Sequence, residues 1–214
     1  MSAAAAEPPV PPVGTRRARG AAGACRPVYD AASLLTVVVA EFNARGYDAT
    51  SMEDLSLAAG ISKSSFYHHV SGKEELLDLA LQRALDGLFA ILEERASRDG
   101  PPVERLHHIV RRQVEVLISE LPYVTLLLRL RGNTETERRA LARRRAFDAT
   151  VAALVADAIS EGQVRATVEP WLAARLLSGA INSIIDWYRP GRTGAEHLPD
   201  EVVRIVSEGI LPPA

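Results

Sequence analysis

Residues 51–70 contain two short helical segments joined by a glycine, and this arrangement constrains the fold more than any other part of the chain. The run reads SMEDLSLAAGISKSSFYHHV. Ser51 and Asp54 nearly match a capping box, which favours a helix start at Ser51. Gly60 can take the backbone conformation that a tight turn between two helices requires. The segment therefore predicts a helix-turn-helix, in which a bracing helix supports a second helix with a polar face.

The second helix of this pair carries side chains suited to contact with DNA. Ile61 and Phe66 are expected to anchor it to the core. Lysine can pair with phosphates or guanine edges, and hydroxyl groups reach phosphates or bases. The side chains expected to face DNA are Lys63, Ser64, Ser65, Tyr67 and His68. The alternative is a helical turn in an unrelated bundle, where these positions would form an ordinary amphipathic end.

Helical periodicity continues through the rest of the chain, with glycine and proline at the segment ends. Ala, Leu, Arg and Glu recur while aromatic residues make up only 5%, and that mixture favours helices over sheets. Helices are expected over about 29–45, 51–59, 63–70, 74–98, 103–121, 123–130, 135–161, 171–188 and 199–210. The sequence therefore predicts an all-α fold.

The charge balance requires any nucleic-acid contact to come from a local patch, because the net charge is -2. Residues 1–26 are rich in Ala, Pro, Gly and Arg, which predicts a disordered basic arm. That arm is either a cationic aid to DNA binding or a solvated tail or misassigned start. Cys25 is the single cysteine and excludes an intramolecular disulfide, which fits a cytoplasmic protein. No apolar run has the length of a membrane span, so no membrane partner is expected.

The run FNARGYDATSMEDLSLAAGISKSSFYHHVSGKEELL closely resembles the TetR family of transcriptional regulators. The resemblance implies a three-helix DNA-binding domain with the helix-turn-helix over 27–75, and a helical ligand-binding and dimerisation domain over 76–214. It also implies that Ser51 and Lys73 hold phosphates. The expected function is a homodimeric repressor, released from a palindromic double-stranded operator by a small-molecule effector. An activator of the same fold and a helical protein-interaction adaptor remain alternatives.

The run INSIIDWYRPG near the C-terminus resembles one subgroup of that family, with Ser183 in place of a tryptophan. This subgroup represses steroid and fatty-acid catabolism genes and senses acyl-CoA thioesters, so the resemblance implies such an effector. A thioester ligand needs apolar walls and cations. The residues expected at the pocket are Leu127, Arg129, Leu177, Ile181 and Trp187. Further arginines that could supply charge are Arg131, Arg138, Arg139, Arg143, Arg144 and Arg145. Alternatively, the apolar row is core and the arginines form a solvated helix face.

The last two predicted helices are the expected dimer surface. Leu172, Leu176, Gly179 and Ser183 follow helical spacing and can form one contacting stripe. Trp187 either covers one end of that interface or closes the core. Local catalytic and metal motifs are missing from the sequence: adjacent histidines diverge on a helix, and no phosphate loop or nucleophile elbow occurs. We therefore expect no catalytic site, no metal and no cofactor.

Overall fold

The computed structural model describes residues 31–68, 70–191 and 195–210, and within these ranges it contains helices and no β-strand. The helices are α1 (Ala31–Arg45), α2 (Met52–Ala59), α3 (Lys63–Tyr67), α4 (Lys73–Glu93), α5 (Arg95–Arg98), α6 (Pro102–Ser119), α7 (Leu121–Leu128), α8 (Glu135–Ser160), α9 (Pro170–Asn182), α10 (Ile184–Trp187) and α11 (Leu198–Ile210), with a short 3₁₀ turn (Ala195–His197) before the last. This confirms the all-α prediction. The predicted basic arm, residues 1–26, lies outside the described residues.

The first three helices share one apolar core. Phe42 of α1, Leu55 of α2 and Phe66 of α3 are all buried there. The predicted extension of α3 to Val70 is wrong, because the helix ends at Tyr67. A shorter-range backbone bond, from the N–H of residue 68 to the Ser65 carbonyl at 3.2 Å, tightens the end of the helix. Val70 then enters the core as part of the connection to α4.

The predicted single helix from Glu74 to Arg98 is also wrong, because α4 ends at Glu93 and α5 follows after a break. Glu94 sits at that break with extended backbone angles, φ −65° and ψ 141°. Its carboxylate accepts hydrogen bonds from His108 Nε2 at 2.6 Å and from Arg112 Nε at 2.9 Å, both on α6. These contacts between helices fix the break, and neighbouring sequence cannot reveal them.

The larger part of the fold is a helical bundle around α8. This 26-residue helix packs against α4, α6 and α9, and α11 covers α6. The predicted single helix over residues 171–188 is interrupted at Ser183, which separates α9 from α10. The Ser183 hydroxyl donates to the Ala180 carbonyl at 2.7 Å, a local bond that competes with helix continuation. One continuous core joins this bundle to α1–α3.

Candidate functional site

The start of α2 is held by a complete capping box. Ser51 Oγ accepts from the Asp54 N–H at 3.1 Å, and the Asp54 carboxylate accepts from the Ser51 N–H at 2.8 Å. The Ser51 hydroxyl also donates to Asp54 Oδ2 at 2.5 Å. These hydrogen bonds from Ser51 lower the pKa of Asp54. Ser51 is exposed at this helix start, but it must redirect its hydroxyl proton before it can donate to a phosphate.

The turn between α2 and α3 depends on Gly60. Its φ of 65° lies in the left-handed region, which glycine adopts without a Cβ clash. Its N–H closes α2 by donating to the Leu57 carbonyl, and the Ile61 N–H donates to the Ser56 carbonyl. Ser62 then caps α3 by accepting from the Ser65 N–H at 3.1 Å. Residues close together in the sequence therefore build the turn and determine where α3 begins.

Helix α3 presents a polar face to solvent. Lys63, Ser64 and His68 are exposed, Tyr67 has 46% of its surface accessible, and Ser65 is half-buried. Their common anchor is Phe66, which is fully buried on the opposite side. The first turn of α3 contains Lys63 and no acidic residue, so the face suits an anionic partner. This arrangement can carry both phosphate and base-edge contacts in a groove.

Lys73, at the start of α4, is more tightly held than an ordinary surface lysine. Its Nζ donates to the Tyr47 carbonyl at 2.8 Å and lies 4.3 Å from the centre of the Tyr47 ring. An ammonium group has three donors, so two N–H groups remain for other acceptors. Burial raises the pKa of Tyr47, with Glu74 and Asp48 adding to the shift. The tyrosine therefore stays neutral beneath the lysine.

A narrow pocket opens between α4, α6, α7, α8 and α9. Its cavity volume is only about 50 Å³. Its apolar lining consists of Ala84, Leu88, Val116, Leu117, Val124, Leu127, Leu128, Phe147 and Ile181, and its polar lining of Gln113, Arg144, Asp148, Ser178 and Asn182. Apolar walls with a few convergent polar groups are typical of a small-molecule site.

Arg144 brings a cation to this pocket. Burial lowers the pKa of its guanidinium, while the nearby Asp148 carboxylate acts in the opposite direction. Asp148 itself accepts from Ser178 Oγ at 2.9 Å. Among the described residues, Arg144 has no recorded hydrogen bond or ion pair. A half-buried guanidinium with spare donors fits the anionic group of a ligand.

Two of the five residues expected at the pocket line it, and three do not. Leu127 and Ile181 are in the wall. Leu177 is buried in the core without lining the pocket, and Trp187 is 55% exposed. Arg129 is exposed and donates from Nη1 to the Asn43 carbonyl at 3.1 Å, in a separate cleft beside α1. Arg129, Leu177 and Trp187 therefore do not line this pocket.

The sequence pattern indicates that Arg144 lies on the buried face of α8, although the neighbouring arginines make this position hard to recognise. Buried residues on α8 include Ala140, Phe147 and Val151, which recur at helical spacing. Arg144 is four residues after Ala140 and three before Phe147, so it falls on the same stripe. An arginine inside a buried stripe, rather than beside it, is the pattern that indicates a pocket cation.

An exposed apolar surface runs along the outside of α9 and α10. It is formed by Trp171, Leu172, Leu176 and Trp187, with Leu176 65% exposed. Gly179 and Ser183, which were predicted to share this stripe, are exposed as well. Such a patch on a small protein marks a contact surface.

The described part of the chain contains no group of three His, Cys, Asp or Glu side chains placed to hold a metal ion. His107 and His108, adjacent in sequence, point to different partners: His107 Nε2 lies 2.7 Å from Ser207 Oγ, and His108 bonds to Glu94. None of the described helices is long and apolar enough to cross a membrane.

Comparison with known proteins assigns the chain to a family. Residues 34–80 match the family described as bacterial regulatory proteins, tetR family, and residues 99–210 match the tetracyclin repressor-like C-terminal domain. The chain is 28% identical over 191 residues to the HTH-type transcriptional repressor KstR2 of Mycobacterium tuberculosis, covering 83% of this chain and 93% of that protein.

Solved structures agree with this match. SCO3833, a TetR-family regulator from Streptomyces coelicolor A3, is 61% identical with a TM-score of 0.79, covering 84% of this chain and 91% of that one. AibR, solved with isovaleryl coenzyme A and operator DNA, is 25% identical with a TM-score of 0.72, covering 86% and 98%. The chain belongs to the TetR family of bacterial transcriptional regulators.

Proposed function

We propose that this protein is a dimeric repressor that binds a pseudo-palindromic operator through α3 and is released by an acyl-CoA thioester. The observation that carries the proposal is the exposed polar face of α3, set by a capped glycine turn on one side and the buried Phe66 on the other. The similarity of the chain to the KstR2 repressor supports repression rather than activation. The role needs no catalytic step, and it places the protein in the cytoplasm with its operator.

The DNA contacts assigned to this face are Ser51, Lys63, Ser64, Ser65, Tyr67, His68 and Lys73. Lys63→Ala and Tyr67→Ala test the assignment most directly, because both side chains are exposed and their loss leaves the core intact. Each lost contact is expected to cost about 1–3 kcal/mol, or roughly 5- to 150-fold in affinity.

Gel-shift titration against the intergenic DNA beside the gene measures this loss. Arg204→Ala on α11 is the control, since it removes an exposed cation remote in the chain from the reading helix. Its affinity for DNA should equal that of wild type, and all three variants should have the melting temperature of wild type. Wild-type affinity for both α3 variants would refute the DNA-reading assignment.

The effector assignment uses the pocket around Arg144. Its apolar walls can contact an acyl chain once the narrow pocket widens, and its half-buried guanidinium can bind an anionic or carbonyl oxygen. AibR, a relative of the same fold, was solved with isovaleryl coenzyme A and operator DNA together. This supports a thioester as the first ligand class to test, with free acids next.

Calorimetric titration with isovaleryl-CoA, free coenzyme A and isovalerate, each with and without operator DNA, tests the release step. A true effector must prefer the conformation that does not bind DNA, because a ligand with equal affinity for both conformations does not change their populations. A coupling of about 1–3 kcal/mol would weaken operator binding roughly 5- to 150-fold, and operator would weaken effector binding by the same factor. A thioester that binds equally in both titrations is not the inducer.

The dimer assignment uses the exposed surface of α9 and α10. Operators with two half-sites require two reading helices related by two-fold symmetry. Leu172, Leu176, Gly179 and Ser183 lie on the proposed contact, with Trp171 and Trp187 at its ends. Burying these side chains against a second copy would remove the largest exposed apolar residues of α9 and α10 from water.

A further inference from the structure

The first turn of α4 is a junction between the reading helix and the rest of the protein. On one side, the Glu75 carboxylate accepts from the Ser71 N–H at 2.5 Å and from the Ser71 hydroxyl at 2.7 Å, which ties α4 to the segment after α3. On another side, Lys73 is bonded to the Tyr47 carbonyl. The position of α3 therefore depends on where this turn is held.

A third bond to this turn comes from α8 of the effector domain. Thr136 Oγ1 donates to Glu74 Oε1 at 2.8 Å, across 62 residues of sequence. Thr136 is only 2% exposed, although its hydroxyl is polar. Arg139 Nη2 donates to the same hydroxyl at 3.2 Å, so the oxygen is both donor and acceptor. A buried hydroxyl that both donates and accepts in this way favours one arrangement of its partners.

The start of α8 is itself fixed, so Thr136 is a rigid support. Thr134 caps the helix by accepting from the Glu137 N–H at 3.1 Å. The buried Glu137 carboxylate accepts from the backbone N–H groups of Gly132 at 2.7 Å and Asn133 at 3.0 Å. The loop before α8 is thereby closed on the helix, one residue from Thr136.

We propose that Thr136 is a positioning residue for DNA reading: through Glu74 it fixes the first turn of α4, and with it α3, from the effector domain. The same helix carries Arg144 eight residues further on, about 12 Å along the helix axis. In α8, therefore, one continuous helix joins the proposed pocket to the base of the reading pair. The expected effect on operator binding rests on the proposed function, whereas the expected effect on the first turn of α4 does not.

Thr136→Val tests the proposal, because it replaces the hydroxyl with a methyl of nearly the same size. Thr136→Ser restores the donor, and Thr150→Val is the matched control, since the exposed Thr150 on α8 bonds only to the Ala146 carbonyl of its own helix. The first readout is amide hydrogen exchange of residues 71–77 in the full-length protein without ligand. We expect Thr136→Val to speed exchange there about tenfold, with α9 unchanged, and the other two variants to match wild type.

The second readout is affinity for the intergenic DNA that wild type binds. Thr136→Val should bind about tenfold more weakly, and Thr136→Ser and Thr150→Val should bind like wild type. Unchanged exchange and affinity in Thr136→Val would overturn the proposal, as would an equal rise in exchange across α4, α6 and α9, which indicates general loss of stability. If wild type binds no such DNA, the proposed function fails, and the exchange data still decide the role of Thr136.

Discussion

Replacing Arg144 with methionine should change stability and effector binding in opposite directions. The guanidinium is half-buried, burial lowers its pKa, and among the described residues it makes no hydrogen bond. Methionine has a similar reach and no charge to desolvate. Asp148 stays hydrogen-bonded to Ser178 after the change, so it is not left without a donor.

The sizes follow from the partial burial of the charge and its lack of a hydrogen bond. Replacing a whole buried ion pair by apolar groups is often neutral or stabilising by about 1–4 kcal/mol, and the lower end applies here because only one charge is removed and Asp148 keeps its hydrogen bond from Ser178. At the lower end, ~1 kcal/mol, the melting temperature of a protein of this size rises by about 2–4 °C. In the opposite direction, a hydrogen bond to a charged group contributes about 1.5–3 kcal/mol, so effector affinity should fall roughly 10- to 150-fold.

Thermal unfolding without ligand and calorimetric titration with the active thioester measure the two effects. Arg145→Met is the control, because Arg145 is exposed on the same helix and does not line the pocket. It should leave both quantities near wild type. A lower melting temperature for Arg144→Met would mean that the guanidinium stabilises the fold, and unchanged effector affinity would mean that it does not bind the ligand. Either result refutes the assignment.

Three further predictions concern stability and assembly. Burial lowers the pKa of His107 from its ordinary 6.5, so near that pH the unfolded chain binds more protons. The free energy of unfolding should therefore fall as pH falls from about 7 to 5, and His107→Gln should flatten that dependence in denaturant titrations. Leu176→Glu should convert the dimer to a monomer in sedimentation, because it charges the exposed apolar surface of α9; a persistent dimer would place the interface elsewhere. Gly60→Ala should destabilise by about 1–2 kcal/mol, because the added Cβ meets no atom within 4 Å and the cost is that of the left-handed φ alone. An unchanged denaturant midpoint would contradict this.

The helix-turn-helix could be predicted because every bond that builds it is local. The Ser51–Asp54 capping box, the Gly60 turn and the Ser62 cap each join residues no more than five apart. Turns and helix caps of this kind are determined by residues close together in the sequence. The exposure of Lys63 and Tyr67 follows from it, since the buried Phe66 sets the rotation of α3.

The positions at which α4 and α9 end could not be predicted from neighbouring residues. The residues before and after Glu94 have the periodicity of one helix, and the break is held by side chains from α6. The pocket cation could not be singled out for a related reason: Arg144 was named only as one of several arginines that could supply charge, and its neighbours in that run face solvent. Only the packing of α8 against α4 and α9 distinguishes Arg144 from the exposed arginines beside it.

The ends of these helices also decide how a ligand can act on DNA. The end of α4 at Glu93 does not interrupt the path from the pocket to the DNA-binding pair, because α4 runs unbroken from Ala84 and Leu88 at the pocket to Lys73. The pocket is walled by α4 at Ala84 and Leu88 and by α8 at Arg144 and Phe147, so a ligand that widens it separates these two helices. Their N-terminal turns are joined by the bond from Thr136 to Glu74. Separation of α4 and α8 at the pocket therefore strains that bond, and the bond limits how far the first turn of α4, and with it α3, can move.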